Sequence, residues 1–101
     1  MAGPLPFASI AVLHAIADGH RFGFEIIDAI GLRSGTVYPV LTRLEREGRL
    51  SSRLVASDAG PARKYYRPTA DGYQLMAESQ QAWAALAAVV ARTVPTAKEI
   101  A

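Results

Sequence analysis

The stretch from Ser34 to Leu50, SGTVYPVLTRLEREGRL, constrains the fold of this chain more than any other. Its apolar residues recur at the i, i+3, i+4 and i+7 spacing of a helix with one buried face: Val37, Val40, Leu41 and Leu44. Ser34 or Thr36 is expected to cap the first turn, and Pro39, which lacks an amide proton, places the helix start just upstream of itself. Gly48 suits the left-handed conformation that ends a helix.

The other face of this predicted helix is polar and basic. It carries Thr36, Tyr38, Thr42, Arg43 and Arg46. A helix that is buried on one side and presents hydroxyl, phenol and guanidinium groups on the other is typical of an element that enters the major groove of DNA.

The distribution of charge is more informative than the net charge of +2. Residues 33–67 carry a net charge of +5, whereas residues 1–32 carry −2 and residues 68–101 carry −1. A basic middle third is expected of a surface that faces a polyanion, although a merely solvated face would show the same excess.

Composition excludes several classes of protein. The 101 residues amount to about one domain, and the absence of cysteine rules out disulfides and cysteine–metal sites. No apolar run approaches the roughly 20 residues of a membrane helix, and no signal-peptide pattern appears. We therefore expect a cytoplasmic protein without membrane contact, cofactor or metal.

The rest of the chain predicts three more helices and a hairpin. The first helix, which carries Phe7, Ile10, Val12, Leu13 and Ile16, is apolar nearly all round, so these residues are expected at the centre of the core. His14 is expected to be buried or half-buried beside a local hydrogen-bond partner; the alternative, a metal site, would need ligands beyond His20 and scattered carboxylates. Tyr65 and Tyr66 point to opposite faces of the second strand, so at most one is fully buried. The predicted bounds are helices at 6–18, 24–30 and 69–94, strands at 50–55 and 63–67, a turn at 57–61, and loose ends at 1–5 and 96–101.

The last helix is expected to form a homodimer. Thr69 is its predicted N-cap and Pro95 stops it. A seam at 3/4 spacing, interrupted by Gln80, runs through Met76, Trp83, Ala87, Val90 and Val94. A long helix that projects from a small domain has little of its own chain to cover it, and a second copy would supply that cover.

The order helix, helix, recognition helix, two-stranded wing and trailing helix predicts an α+β, mostly α fold: a winged helix-turn-helix with a long C-terminal dimerisation helix. The expected division is 1–68 for the DNA-binding domain and 69–101 for the dimerisation helix and tail. The segment SGTVYPVLTRLEREGRL, followed by GPARKYYRPTADG, resembles the PadR-like family of bacterial transcriptional regulators. The pattern of that family is a GTLYPxLxRLExxGLI-type helix followed by a GxRKYYxLTxxG wing. The single trailing helix of this chain is similar to that of the family's short subclass.

The resemblance implies a homodimeric DNA-binding regulator, usually a repressor, that a small molecule or a similar signal releases from a near-palindromic operator. Trp83 stands where drug-responsive relatives stack planar ligands, so Trp83, Met76 and Ala87 are expected to line either an aromatic inducer site or a dimer core; we favour packing for Trp83. The candidate DNA-binding residues are Arg33, Ser34, Thr36, Tyr38, Thr42, Arg43 and Arg46 of the helix, and Arg63 and Lys64 of the wing.

Two departures from the family pattern bear on this hypothesis. Phe24 stands where relatives commonly have tyrosine, so any contact that needs that hydroxyl is absent. Pro68 replaces the usual leucine after the wing, so the second strand is expected to end there.

Two other classes of function fit the sequence less well. A winged helix can be a protein-interaction module, but such a module needs no basic, hydroxyl-rich recognition face. An enzyme would need a catalytic trio, a phosphate loop or a metal cluster, and the sequence contains none.

Overall fold

The computed structural model describes residues 6–95, so the expectations for residues 1–5 and 96–101 lie outside the described residues. The described part is the predicted winged helix-turn-helix with its trailing helix. In chain order the elements are α1 (Phe7–Ala17), α2 (Gly23–Ile30), α3 (Ser34–Arg46), β1 (Leu50–Ser57), β2 (Gly60–Pro68) and α4 (Ala70–Thr93).

Helix α1 lies at the centre of the core, as its apolar composition predicts. Val12, Leu13 and Ile16 are fully buried. They belong to one cluster with Ile26 of α2, with Leu50 and Tyr66 of the hairpin, and with Val37, Val40, Leu41 and Leu44, the predicted inner face of α3. The periodicity of α3 is therefore sufficient to identify its buried side.

Two expectations for α1 were wrong. His14 is exposed, because it lies on the one side of α1 that no other described element covers. Phe7 is 58 % exposed, and its ring makes a T-shaped contact with the ring of Trp83, at a centroid distance of 5.8 Å, instead of entering the core. Helix α1 is thus buried on the side that carries Ser9, Val12 and Ile16 and open on the side that carries Phe7 and His14.

The start of α3 differs from the predicted one. Arg33 is the N-cap residue and makes no side-chain cap, so neither Ser34 nor Thr36 caps the helix as expected. Pro39 consequently lies in the second turn, where it has no amide proton to donate to the helical hydrogen bond. The burial of the opposite face of α3 stabilises the helix at this point. The end is as predicted, since Gly48 has a φ of 78°.

The hairpin strands are longer than predicted. They pair antiparallel from Leu50–Pro68 at the base to Ser57–Gly60 at the tip, so only two residues form the turn. Tyr66 is buried and Tyr65 is half-buried, as their alternation indicates, and β2 ends at Pro68 as expected. The backbone amide of Tyr66 also donates to the carbonyl of Arg21 at 2.8 Å, which attaches the α1–α2 turn to the outer edge of β2.

The first turn of α4 is fixed to the turn between α3 and β1. Thr69 caps the helix as predicted, accepting from the amide of Gly72 at 3.1 Å, and its hydroxyl donates to the carbonyl of Gly48 at 2.6 Å. The amide of Thr69 donates to the carbonyl of Arg49 at 3.1 Å. Gly72 lies so close to that carbonyl that a Cβ atom there would overlap it.

The second half of α4 projects from the rest of the described chain. The large apolar residues of this half and of the C-cap are solvent-exposed to between 43 % and 63 %: Leu86, Val89, Val90 and the C-cap residue Val94. Met76, in contrast, is 8 % exposed and packs in the core of its own chain. Met76 therefore has little surface left for a ligand or a second copy of the chain, because the first two turns of α4 still lie over the domain.

Candidate nucleic-acid interface

Helix α3 presents one continuous polar surface to solvent. Because the four apolar residues of its inner face are held in the core, the residues between them are turned outward. The exposed side chains on and just before the helix are Arg33, Ser34, Thr36, Tyr38, Thr42 and Arg46. Six of the seven helix residues predicted to bind DNA thus share an exposed surface rich in donors.

Tyr38 is held in place by its contact with α2. Its phenol lies against Gly23, the first residue of α2, so closely that a Cβ on Gly23 would collide with the phenol oxygen and ring. The side chain nevertheless remains 44 % exposed. The contact therefore fixes the ring at the edge of the outer surface of α3 without removing it from solvent.

Arg43 is the exception among the predicted helix residues. It is only half-buried, but its Nη2 donates to the hydroxyl of Ser9, a buried residue of α1, at 2.6 Å. The guanidinium is directed along the boundary with α1 instead of away from the domain. The interpretation supported by the structure is that Arg43 joins α1 to α3 and gives Ser9 a hydrogen-bond partner.

Glu45 connects α3 to both strands of the wing. Its carboxylate accepts from the hydroxyl of Ser52 in β1 and from Nζ of Lys64 in β2, the latter at 2.9 Å. The hydrogen bond from Ser52, followed by that from Lys64, lowers the pKa of Glu45 below its ordinary value. The reciprocal hydrogen bond raises the pKa of Lys64, so both groups are charged near neutral pH.

The two predicted wing cations have different surroundings. Lys64 is 50 % exposed and engaged with Glu45. Arg63 lies over the ring of Phe22 at 4.7 Å, and that ring stacks on Tyr65 at 5.4 Å. Both cations are therefore held by neighbours and are exposed, on opposite faces of β2.

Sequence reasoning missed Ser9, Phe22, Glu45 and Ser52 as parts of this site. Ser9 lies in an otherwise apolar helix, which indicates only weakly that a polar side chain of another element packs against it. The link between Glu45 and Ser52 depends on how the hairpin docks against α3, which no local pattern in the sequence contains.

The second candidate site, around Trp83, has an unusual polar atom. The indole Nε1 is buried and has no hydrogen-bond partner among residues 6–95. The ring of Phe7 packs against the indole in a T-shaped contact, whereas Ala87, one turn further along α4, is exposed. Of the three residues predicted here, Trp83 and Ala87 border the open half of α4 and Met76 does not.

Neither a metal centre nor a membrane segment was found in the described part of the chain. Residues 6–95 contain no group of three or more histidine, aspartate or glutamate side chains that could hold a metal ion. Over the same residues, no helix is both long and apolar enough to cross a bilayer.

Comparisons with known proteins agree with this geometry. The model of the transcriptional regulator PadR-like family matches residues 12–78, from α1 into α4. A PadR-like transcriptional regulator of Bacillus cereus is 28 % identical, with 83 % of this chain and 87 % of that one covered at a TM-score of 0.71. A PadR family regulator of Clostridium difficile is 24 % identical, with coverages of 86 % and 97 % and a TM-score of 0.74.

The fold extends to a more distant regulator. The PcaV transcriptional regulator of Streptomyces coelicolor, solved with its natural ligand, is 20 % identical over 98 % of this chain and 70 % of that one, with a TM-score of 0.78. At this identity the likeness concerns the fold alone, as it does for the Clostridium protein.

Proposed function

The chain belongs to the PadR-like family of transcriptional regulators, which are not enzymes, and from this premise we propose that it is a cytoplasmic, homodimeric DNA-binding repressor released by a small-molecule signal. The observation that carries the proposal is the outer surface of α3. It presents hydroxyls, a phenol and guanidiniums on a helix whose reverse side is fixed in the core. Such a surface can donate to base edges and to phosphates at once.

Within this proposal the two parts of the DNA contact have different tasks. Thr36, Tyr38, Thr42 and Arg46 would face the major groove, with Arg33 and Ser34 at the phosphates beside the start of α3. Arg63 and Lys64 would reach phosphates from the wing, whose position relative to α3 is set by Glu45. Arg43 would act indirectly, by holding α3 against α1 through Ser9.

The exposure of α4 supports the proposed division of the chain. Residues 1–68 would form the DNA-binding domain and residues 69–101 the dimerisation helix and tail. Leu86, Val89 and Val90 are each about half exposed on the projecting part of α4, and apolar surface of this kind is stabilised when a second copy covers it. Two copies of α3 would then face a near-palindromic operator with half-sites about 10 bp apart or a multiple of that.

A planar aromatic inducer is proposed to act near Trp83, between the two copies of α4. The support is the buried indole Nε1 without a partner, next to the ring of Phe7 and the exposed Ala87. Titrating the protein with a panel of planar aromatic compounds while recording tryptophan fluorescence tests this role. Trp83 is the only tryptophan in the sequence, so quenching would report on this site; no response to any compound would leave it a packing residue.

Fluorescence anisotropy at near-physiological salt tests the DNA-binding proposal. The probe is the duplex upstream of the chain's own gene, and the control is a random duplex of equal length and composition. Specific regulation predicts an affinity for the upstream duplex at least about 10³ times that for random DNA. Equal affinities would argue against it.

A double variant tests the wing separately. Arg63→Gln with Lys64→Gln should weaken binding to both duplexes alike, since phosphate contacts carry little sequence information. It should also reduce the slope of log K against log salt by about 0.9 for each phosphate that the variant no longer neutralises. An unchanged slope would contradict the role of the wing while leaving that of α3 open to the first test.

A further inference from the structure

A second basic surface lies on the face of the hairpin that points away from α3. Ser52 and Lys64 reach Glu45 on the inner face, so the residues that alternate with them share the outer face. The register pairs Arg53 with Tyr65 directly. The outer residues of the two strands are Ser51, Arg53 and Val55 of β1, and Arg63, Tyr65 and Arg67 of β2.

Part of this outer face is concave. A pocket of about 540 Å³ is lined by the side chains or backbone of Arg21, Ser51, Ser52, Arg53, Tyr65, Tyr66 and Arg67. Its volume is in the range of small-molecule sites, roughly 300–1,000 Å³. Arg21 belongs to the wall because its carbonyl accepts the backbone amide of Tyr66, which fixes the α1–α2 turn beside β2.

The pocket gathers positive charge that the described chain does not neutralise. Among residues 6–95, no carboxylate lies within 4.0 Å of the guanidiniums of Arg21, Arg53 or Arg67. Glu25 is the acidic residue joined to this region, but its carboxylate accepts from the backbone amide of Arg21 at 3.2 Å and is not part of the lining. Three arginines contribute to the lining of one concavity, and an anion bound there would be attracted by the positive charge of each.

The chemistry of the lining selects the kind of anion. Guanidinium groups bind phosphate and carboxylate oxygens in a bidentate manner, and three positive charges match a doubly charged phosphate monoester better than a single carboxylate. Tyr65 adds an aromatic ring, held by its stack on Phe22, that can support a planar base.

We propose that the outer face of the hairpin binds a nucleoside monophosphate, with the phosphate held by Arg21, Arg53 and Arg67 and the base placed against Tyr65. The pocket lies on the opposite face of the sheet from α3. Its occupancy therefore does not depend on whether α3 binds DNA.

Isothermal titration calorimetry on the full-length chain at near-physiological salt tests this site. The probes are adenosine monophosphate, adenosine and inorganic phosphate. The expected result is saturable binding of one adenosine monophosphate per chain, weaker binding of phosphate, and no binding of adenosine. The double variant Arg53→Gln with Arg67→Gln should weaken adenosine monophosphate binding at least about tenfold, because each substitution removes hydrogen bonds to the charged phosphate.

The matched control is Arg92→Gln, which removes an exposed guanidinium from the far end of α4 and should leave binding unchanged. Circular dichroism of each variant checks that the chain is folded. Absence of saturable adenosine monophosphate binding, or equal binding by the double variant, would overturn the proposal.

A parallel anisotropy titration with random duplex DNA separates this site from the DNA interface. If the double variant loses duplex binding while the parent chain shows no nucleotide binding, the surface contacts DNA phosphates and the proposal fails. Nucleotide binding by a chain that binds no DNA would support the pocket and contradict only the function proposed above.

Discussion

Replacing Gly72 by alanine should destabilise the protein, although alanine is the better helix former. A Cβ at this position would overlap the carbonyl oxygen of Arg49, approach its carbonyl carbon to 3.2 Å, and touch Pro68 at 3.4 Å. The first two atoms are backbone and cannot rotate away, so α4 would have to move. Such overpacking costs about 1–3 kcal/mol, and the intrinsic gain of alanine over glycine in a helix, about 0.5–1 kcal/mol, offsets only part of it.

Gly35→Ala is the matched control for this prediction. Gly35 lies in α3, and a Cβ there meets nothing within 4 Å. The same chemical change should therefore stabilise the protein by about 0.5–1 kcal/mol.

The assay is chemical denaturation of both variants and the parent at one protein concentration, because the proposed dimerisation would make the apparent stability depend on concentration. Gly72→Ala should be the least stable of the three and Gly35→Ala the most stable. If the two alanine variants were equally stable, the close approach of α4 to the α3–β1 turn would be refuted.

Three further predictions concern the wing, α3 and the dimer. Because the pKa of Glu45 is lowered in the folded protein, its ionised carboxylate stabilises the fold above pH 4.5, its ordinary pKa, and this stability is lost as the pH falls through the folded-state pKa. Glu45→Gln should therefore flatten the acid limb of a Tm–pH profile, and an unchanged limb would contradict the contribution of Glu45 to stability. Gly23→Ala should displace the ring of Tyr38 and weaken DNA binding by about 1–3 kcal/mol, close to the effect of Tyr38→Ala. If the Gly23→Ala variant bound DNA with the affinity of the parent, the position of the ring would not matter for binding. Val90→Asp should convert the proposed dimer to a monomer in analytical ultracentrifugation, whereas Leu54→Asp, at a residue 70 % exposed on the hairpin, should not. A dimeric Val90→Asp variant would contradict the proposed interface.

The sequence predicts most of the fold because its signals are local. The 3/4 spacing of Val37, Val40, Leu41 and Leu44 identifies the inner face of α3, and that face is buried as expected. Thr69 and Gly48 have the side chain and the backbone freedom that their capping positions require, and both predictions are confirmed. Such features depend only on residues near them in the chain.

What the sequence does not predict depends on packing between distant elements. Arg43 looks like the other cations of α3 until the position of Ser9, 34 residues earlier, is known. Met76 fits the spacing of a dimer seam, but the docking of Thr69 on the α3–β1 turn carries the start of α4 across the core and buries it. The carboxylate of Glu45 meets Ser52 and Lys64 only after the hairpin has folded back beside α3.

Two copies of α3, held by α4, are proposed to read two half-sites on the same face of DNA. The most direct test uses an inverted repeat that the protein selects from random-sequence duplexes, and inserts about 5 bp, half a helical turn, between the half-sites. Paired recognition helices predict that the insertion lowers the affinity to that of random DNA, because one α3 is turned to the far side of the duplex. Unchanged affinity after the insertion would contradict the pairing.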